Sequence, residues 1–220
     1  MAAQLFLFVR LQVEKFKKIR TNDQSITKMK EDLFHSIYNH PSIKKEELIN
    51  IKDAHQRIDF EKGSLFLESG KMANEYYLIE KGLLRAYVHD FSGSEITTDF
   101  YTIGEISIEV SSLFQRIPTN ENIIALTNGS AWKIEFETFQ ELYNKMECFR
   151  EWGRAWMSEQ LFISKQRSIE MLNKSATERY LILLNDKPQI IKQAPLKHIA
   201  SYLGITDTSL SRIRKGIFRG

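Results

Sequence analysis

The run from Pro195 to Lys215 constrains this chain more than any other segment. Pro195 suits the first turn of a helix, where its missing N–H is no loss, and the inward positions that follow are Leu196, Ile199, Ala200 and Leu203. Ala200 is small where a second helix has to cross closely. Gly204 offers the permissive backbone of a tight turn. Thr206 is placed to cap a second helix, and Leu210 and Ile213 turn that helix's apolar face inward. The pattern predicts two short helices crossing at a turn, with Thr208, Ser209, Ser211, Arg212 and Lys215 left outside.

A helix presented in this way can enter a DNA major groove. Arg212 is placed for a bidentate contact to guanine, and Thr208 lies near the N-terminal end that reaches base edges, with Ser209 and Ser211 beside it. Lys197, His198, Arg214 and Lys215 are assigned to phosphates. The charge distribution agrees: residues 176–220 carry eight Lys/Arg against three Asp/Glu, whereas residues 29–175 carry 17 against 23. The end of the chain, not its middle, is suited to a polyanion.

The middle has a different character. Between Arg57 and Glu137 short alternating runs are punctuated by glycine, as in antiparallel strands joined by tight turns. Leu84, Ala86 and Val88 alternate with Arg85, Tyr87 and His89, and Ser92-Gly93 then supplies a hairpin turn. Asn128-Gly129 predicts a second hairpin between Ile123–Leu126 and the run Trp132, Ile134, Phe136. Six to eight such strands suit a small barrel or jelly roll around a ligand cavity. Helical patterns between Asp32 and Ile51 precede them.

Residues 138–173 contain no proline and one glycine, Gly153, which predicts one long helix, or two with a bend at that glycine. Leu142, Phe149, Trp156 and Ile163 recur every seven residues with Trp152 between, and Phe149, Trp152, Trp156 and Ile163 are expected at a homodimer seam, with packing on the chain's own β-rich domain the alternative. Ser175 and Glu178 form a capping box for a further helix. The expected organisation is α+β: a basic N-terminal extension over 1–28, a sensor over 29–137, a linker and dimerisation helix over 138–173, and a helix-turn-helix unit over 174–220. Met29 is an equally good start.

The single cysteine, Cys148, excludes an intramolecular disulfide and cysteine-rich metal sites, and suits a reducing cytoplasm. The apolar run Leu5 to Val9 is too short to cross a bilayer. Neither a nucleophile with its base, nor a metal set, nor a phosphate-binding loop occurs at recognisable spacing, so no catalytic or metal-ligating residue is assigned and an enzyme is not expected.

Over roughly residues 30–215 the order of elements resembles the Crp/Fnr family of bacterial regulators. The segments Gly63-Ser-Leu-Phe-Leu-Glu-Ser-Gly70, Tyr77-Leu-Ile-Glu-Lys-Gly82 and Ile103-Gly-Glu-Ile-Ser107 resemble its cyclic nucleotide-binding fold, and Ile205 to Lys215 is similar to its recognition helix. The resemblance implies ligand contacts from Gly104, Glu105, Ile106 and Ser107, a cyclic nucleotide or another small molecule as the effector, and double-stranded DNA and a second copy of the chain as partners, with RNA polymerase a further candidate. Thr119 and Asn120 stand where the family's phosphate-binding arginine and its neighbour lie, so the phosphate lacks its charge partner, with Arg116 the only nearby substitute. Only Gly216 to Gly220 follow the segment similar to the recognition helix, so a unit without the β-hairpin wing of many members is expected. A module of the same fold that no longer reads DNA is the alternative.

Overall fold

The computed structural model describes residues 33–218; the basic extension expected at 1–28 lies outside them. Helical residues 33–37 and α1 (Lys45–Asp53) precede eight strands: β1 (Gln56–Phe60), β2 (Leu65–Leu67), β3 (Glu75–Lys81), β4 (Leu84–His89), β5 (Glu95–Tyr101), β6 (Ile106–Ser107), β7 (Asn122–Ala125) and β8 (Gly129–Glu135). A short helix, α2 (Val110–Gln115), separates β6 from β7. The strands form two four-stranded antiparallel sheets, ordered β1-β8-β3-β6 and β2-β7-β4-β5, a jelly-roll sandwich rather than a single closed barrel.

Strand alternation explains the layering. Tyr77 and Ile79 of β3 face the sandwich interior with Leu84, Ala86, Ile123 and Ala131, while Tyr76 and Leu78 face outward into a second core with Phe34, Tyr38, Ile51 and Phe139. A strand buried on both faces reads as a continuous apolar run, as β3 does.

The Ser92-Gly93 turn forms as expected: Asp90 accepts the amides of Ser92 (2.8 Å) and Ser94 (2.9 Å), and Gly93 has φ 81°. Asn128-Gly129 does not close a hairpin, because β7 and β8 belong to different sheets. Its glycine answers a close approach instead: a Cβ on Gly129 would lie 2.0 Å from the Lys81 carbonyl.

After β8 come α3 (Phe136–Lys145) and the 27-residue α4 (Glu147–Asn173), about 40 Å long at 1.5 Å per residue. They are separated at Met146, which is extended (φ −115°, ψ 110°); the helix is continuous through Gly153, so the break lies about two turns before the glycine that suggested it. Four helices follow: α5 (Ala176–Asp186), α6 (Pro188–Gln193), α7 (Leu196–Tyr202) and α8 (Asp207–Phe218). The Ser175–Glu178 capping box is present, with Glu178 accepting the Ser175 amide at 2.8 Å. Gly204 turns at φ 66°, Thr206 accepts the Ser209 amide at 3.2 Å, and Ile199, Ala200, Leu203 and Leu210 are buried. α8 continues to Phe218, so the described residues hold no strand after it.

Candidate functional site

In the C-terminal unit, α8 buries Leu210 and leaves Thr208, Arg212 and Lys215 exposed, with Ser209, Ser211 and Arg214 partly covered. Lys197 is exposed at the start of α7. His198 is not available to phosphate: it is 9% exposed and packs toward the sensor, where burial first, then the nearby Arg85 and Lys197 charges, lower its pKa to about 4.

That burial belongs to an interface between α7 and the edge strand β5. The Ser201 hydroxyl accepts the Thr97 amide at 2.8 Å and donates to the Glu95 carbonyl at 3.3 Å. Behind it, Arg85 is 2% exposed, donates to Thr97 Oγ1 at 2.9 Å and pairs with Glu95 at 2.5 Å. From α4, Arg167 donates to the carbonyls of Thr98 and Tyr202 and stacks on the Tyr202 ring at 3.9 Å. Leu83 and Phe100 of the sensor share one apolar cluster with Tyr180, Leu183, Ile199 and Leu210 of the C-terminal helices.

Glu105 is drawn into this interface. Its carboxylate accepts the Thr102 amide at 2.7 Å and pairs at 2.6 Å with Lys187, which also donates to the Phe100 carbonyl at 3.2 Å. Burial opposes charge on Lys187, but the Glu105 and Asp99 carboxylates outweigh it and raise its pKa. Burial raises the pKa of Asp99, against the pull of Lys187.

The other residues expected to hold a ligand are dispersed. Gly104 makes the turn at φ 85°, and Ile106 pairs with Leu78. Thr119 is buried and tied to the β2–β3 loop, accepting from Gly70 at 2.7 Å and donating to Lys71 at 2.9 Å, with its hydroxyl taken by the Glu121 amide; Asn120 is exposed. Arg116 does not reach back as a substitute, because its guanidinium holds the Ala73 carbonyl (2.8 Å) and the Asn74 side chain (2.6 Å) and lies over the Phe136 ring. Ser107 alone of the six lines the sandwich cavity.

That cavity has a volume of about 150 Å³ and includes Phe66, Tyr77, Ile123, Ser107, Glu75 and Glu109 in its wall. No lysine, arginine or histidine lines it. Sites for drug-sized ligands run to about 300–1,000 Å³, and a buried phosphodiester without a cation is costly. The residues of this cavity do not fit a cyclic nucleotide. Among the described residues no cluster of His, Cys, Asp and Glu could hold a metal ion, and no helix is long and apolar enough to cross a membrane.

The expected dimer residues separate into two groups. Phe149 (0% exposed) and Trp152 (6%) are buried in the chain's own core beside Tyr38, and Trp152 donates to the Ile37 carbonyl at 2.9 Å, so they are not at a seam with a second copy. Trp156 packs on the margin of that core, stacked on Trp152, and Ile163 is exposed. Farther along α4, Leu161 (74%), Phe162 and Leu172 (89%) are bare, a stripe offset from the heptad first read in the sequence. Sequence reasoning also missed Lys187, Arg167 and Ser201, whose partners lie far away along the chain, and Glu75 and Glu109, whose alternation in a strand and capping of α2 carry no ligand signature.

No curated protein matches the sequence. The family model for the Cyclic nucleotide-binding domain matches residues 57–146. Among solved structures, a putative transcriptional regulator of the Crp/Fnr family from Eubacterium rectale is similar at TM-score 0.64 and 18% identity, covering 85% of this chain and 88% of that one. The Thermus thermophilus catabolite activator protein is similar at TM-score 0.54 and 16% identity, with 83% and 87% covered. A c-di-GMP-responsive global regulator from Xanthomonas campestris is similar at TM-score 0.62 and 14% identity, with 80% and 92% covered. Residues 57–146 are thus similar to the cyclic nucleotide-binding domain, and the chain shares the fold of the Crp/Fnr regulators.

Proposed function

We propose that the chain is a DNA-binding transcription regulator of the Crp/Fnr type that acts as a homodimer. The observation that carries this reading is the outward face of α8, where Thr208, Arg212 and Lys215 stand exposed over a buried Leu210. The exposed apolar side chains on the second half of α4, Leu161, Phe162, Ile169 and Leu172, support pairing with a second copy, since exposed apolar surface of this kind marks an interface. Two copies joined along α4 would present two recognition helices to half-sites about one DNA turn apart.

Coupling between sensor and reader runs through the interface on β5. The Lys187–Glu105 pair, the Ser201 bridge and the Arg167–Tyr202 stack fix the orientation of the C-terminal unit, and displacement of the Glu105 turn would alter that orientation. DNA binding to the upstream region of its own gene, followed by fluorescence anisotropy at fixed salt, tests the reading. Arg212→Ala is expected to lower specific affinity by about 1–3 kcal/mol. Equal affinity for specific and scrambled duplexes, unchanged by Arg212→Ala, would favour a module of this fold that does not read DNA.

A further inference from the structure

We propose that the sandwich cavity binds a small organic cation, a primary ammonium or guanidinium group on a short apolar tail. This deepens the reading of residues 57–146 as a sensor and rests on it. Three observations converge. The wall carries two carboxylates, Glu75 and Glu109, and no basic side chain. Ser107 is 1% exposed and its hydroxyl has no hydrogen-bond partner; it pairs directly with Tyr77 across β6 and β3, so its side chain shares the face on which Tyr77 enters the sandwich interior. A buried polar group without a partner is costly, and a ligand donor would satisfy it. Finally, Phe66, Leu67, Ile108 and Ile123 give the cavity an apolar side suited to a hydrocarbon tail.

Size sharpens the assignment. A cavity near 150 Å³ holds a molecule of about benzene's size, which admits a short alkylamine and excludes a nucleotide. The carboxylates are positioned before any ligand arrives: Glu109 caps α2 by accepting the Ser112 amide at 2.5 Å, and Glu75 takes the Tyr77 hydroxyl and lies 3.8 Å from the Lys133 ammonium, a loose pair that a cation in the cavity would share. The occupant presses on β6, which follows directly on Glu105 and its partner Lys187, so the site adjoins the contact that orients the DNA-binding unit.

The test is calorimetric titration of the full chain with three molecules of one shape, n-butylammonium, n-butanol and butyrate, together with cyclic AMP. Saturable binding of butylammonium, weaker binding of butanol and none of butyrate or cyclic AMP is expected. Ser107→Val fills the cavity and should lower butylammonium affinity at least about tenfold, and Glu75→Gln should do the same by removing a charge-assisted bond. Thermal unfolding confirms that each variant is folded, and either variant alone suffices. Butyrate or cyclic AMP binding as tightly as butylammonium overturns the proposal, as does butylammonium affinity unchanged in the folded variants. DNA anisotropy without added amine is measured separately: its failure with amine binding intact counts against the regulator reading alone, and lost amine binding with intact DNA binding counts against the cavity alone.

Discussion

The two halves of α4 share one helix and opposite surroundings. The first half turns Phe149 and Trp152 into the sensor's outer core, against Phe34, Tyr38 and Phe139, and Trp156 stacks at its margin. The second half, from Leu161 to Leu172, carries large apolar side chains with little of the chain around them. The difference shows that one helix can be fixed to its own domain by the apolar side chains of its first half while a second, offset set of apolar side chains in its other half stays uncovered.

The comparison can be broken at several points. Phe149→Ala should cost about 3–5 kcal/mol of stability in urea unfolding, since a ring in a closed core leaves a cavity behind; a loss below 1 kcal/mol would place Phe149 outside the core. Leu161→Glu combined with Leu172→Glu should leave the monomer's melting temperature in place and weaken self-association by about a hundredfold in sedimentation equilibrium, roughly 3 kcal/mol. Unchanged association would remove the second half from the dimer seam. Trp156→Ala, at the boundary, should cost only about 1–2 kcal/mol and alter association less than the double glutamate variant.

Acid sharpens the same contrast. His55 donates from Nδ1 to the Ile51 carbonyl (2.7 Å) and accepts the Tyr38 hydroxyl at Nε2 (2.9 Å), and burial lowers its pKa to about 4, as burial does for His198. Both imidazoles have folded-state values below the ordinary 6.5. Their contribution is therefore complete above pH 6.5 and is lost as pH falls toward 4, by roughly 1 kcal/mol per pH unit for each proton taken up. His55→Gln should flatten this slope for the sensor half, and His198→Gln for the docked C-terminal unit, in stability measured against pH.

Legibility followed the range of the interactions. The crossing of α7 and α8 was legible because Pro195, Ala200, Gly204, Thr206 and Leu210 act within one short stretch, and Ser175 and Glu178 likewise. The sandwich was legible as alternation, although Asn128-Gly129, a local hairpin signature, joins two sheets because Gly129 passes close to Lys81. The heptad reading failed at Phe149 and Trp152, since spacing shows that a stripe is apolar and leaves open what covers it. The Gly104-Glu105 motif was legible, but not the commitment of Glu105 to Lys187, a lysine on the far side of the chain's long helix in sequence.

The covering of β5 carries one more consequence. An edge strand exposes a row of backbone donors and acceptors that another strand can join, and here the Thr97 amide and the carbonyls of Glu95, Thr98 and Phe100 are occupied by Ser201, Arg167 and Lys187. The C-terminal helical unit thus also guards the sheet against aggregation: the chain shortened to end before Arg167 should self-associate edge to edge through β5.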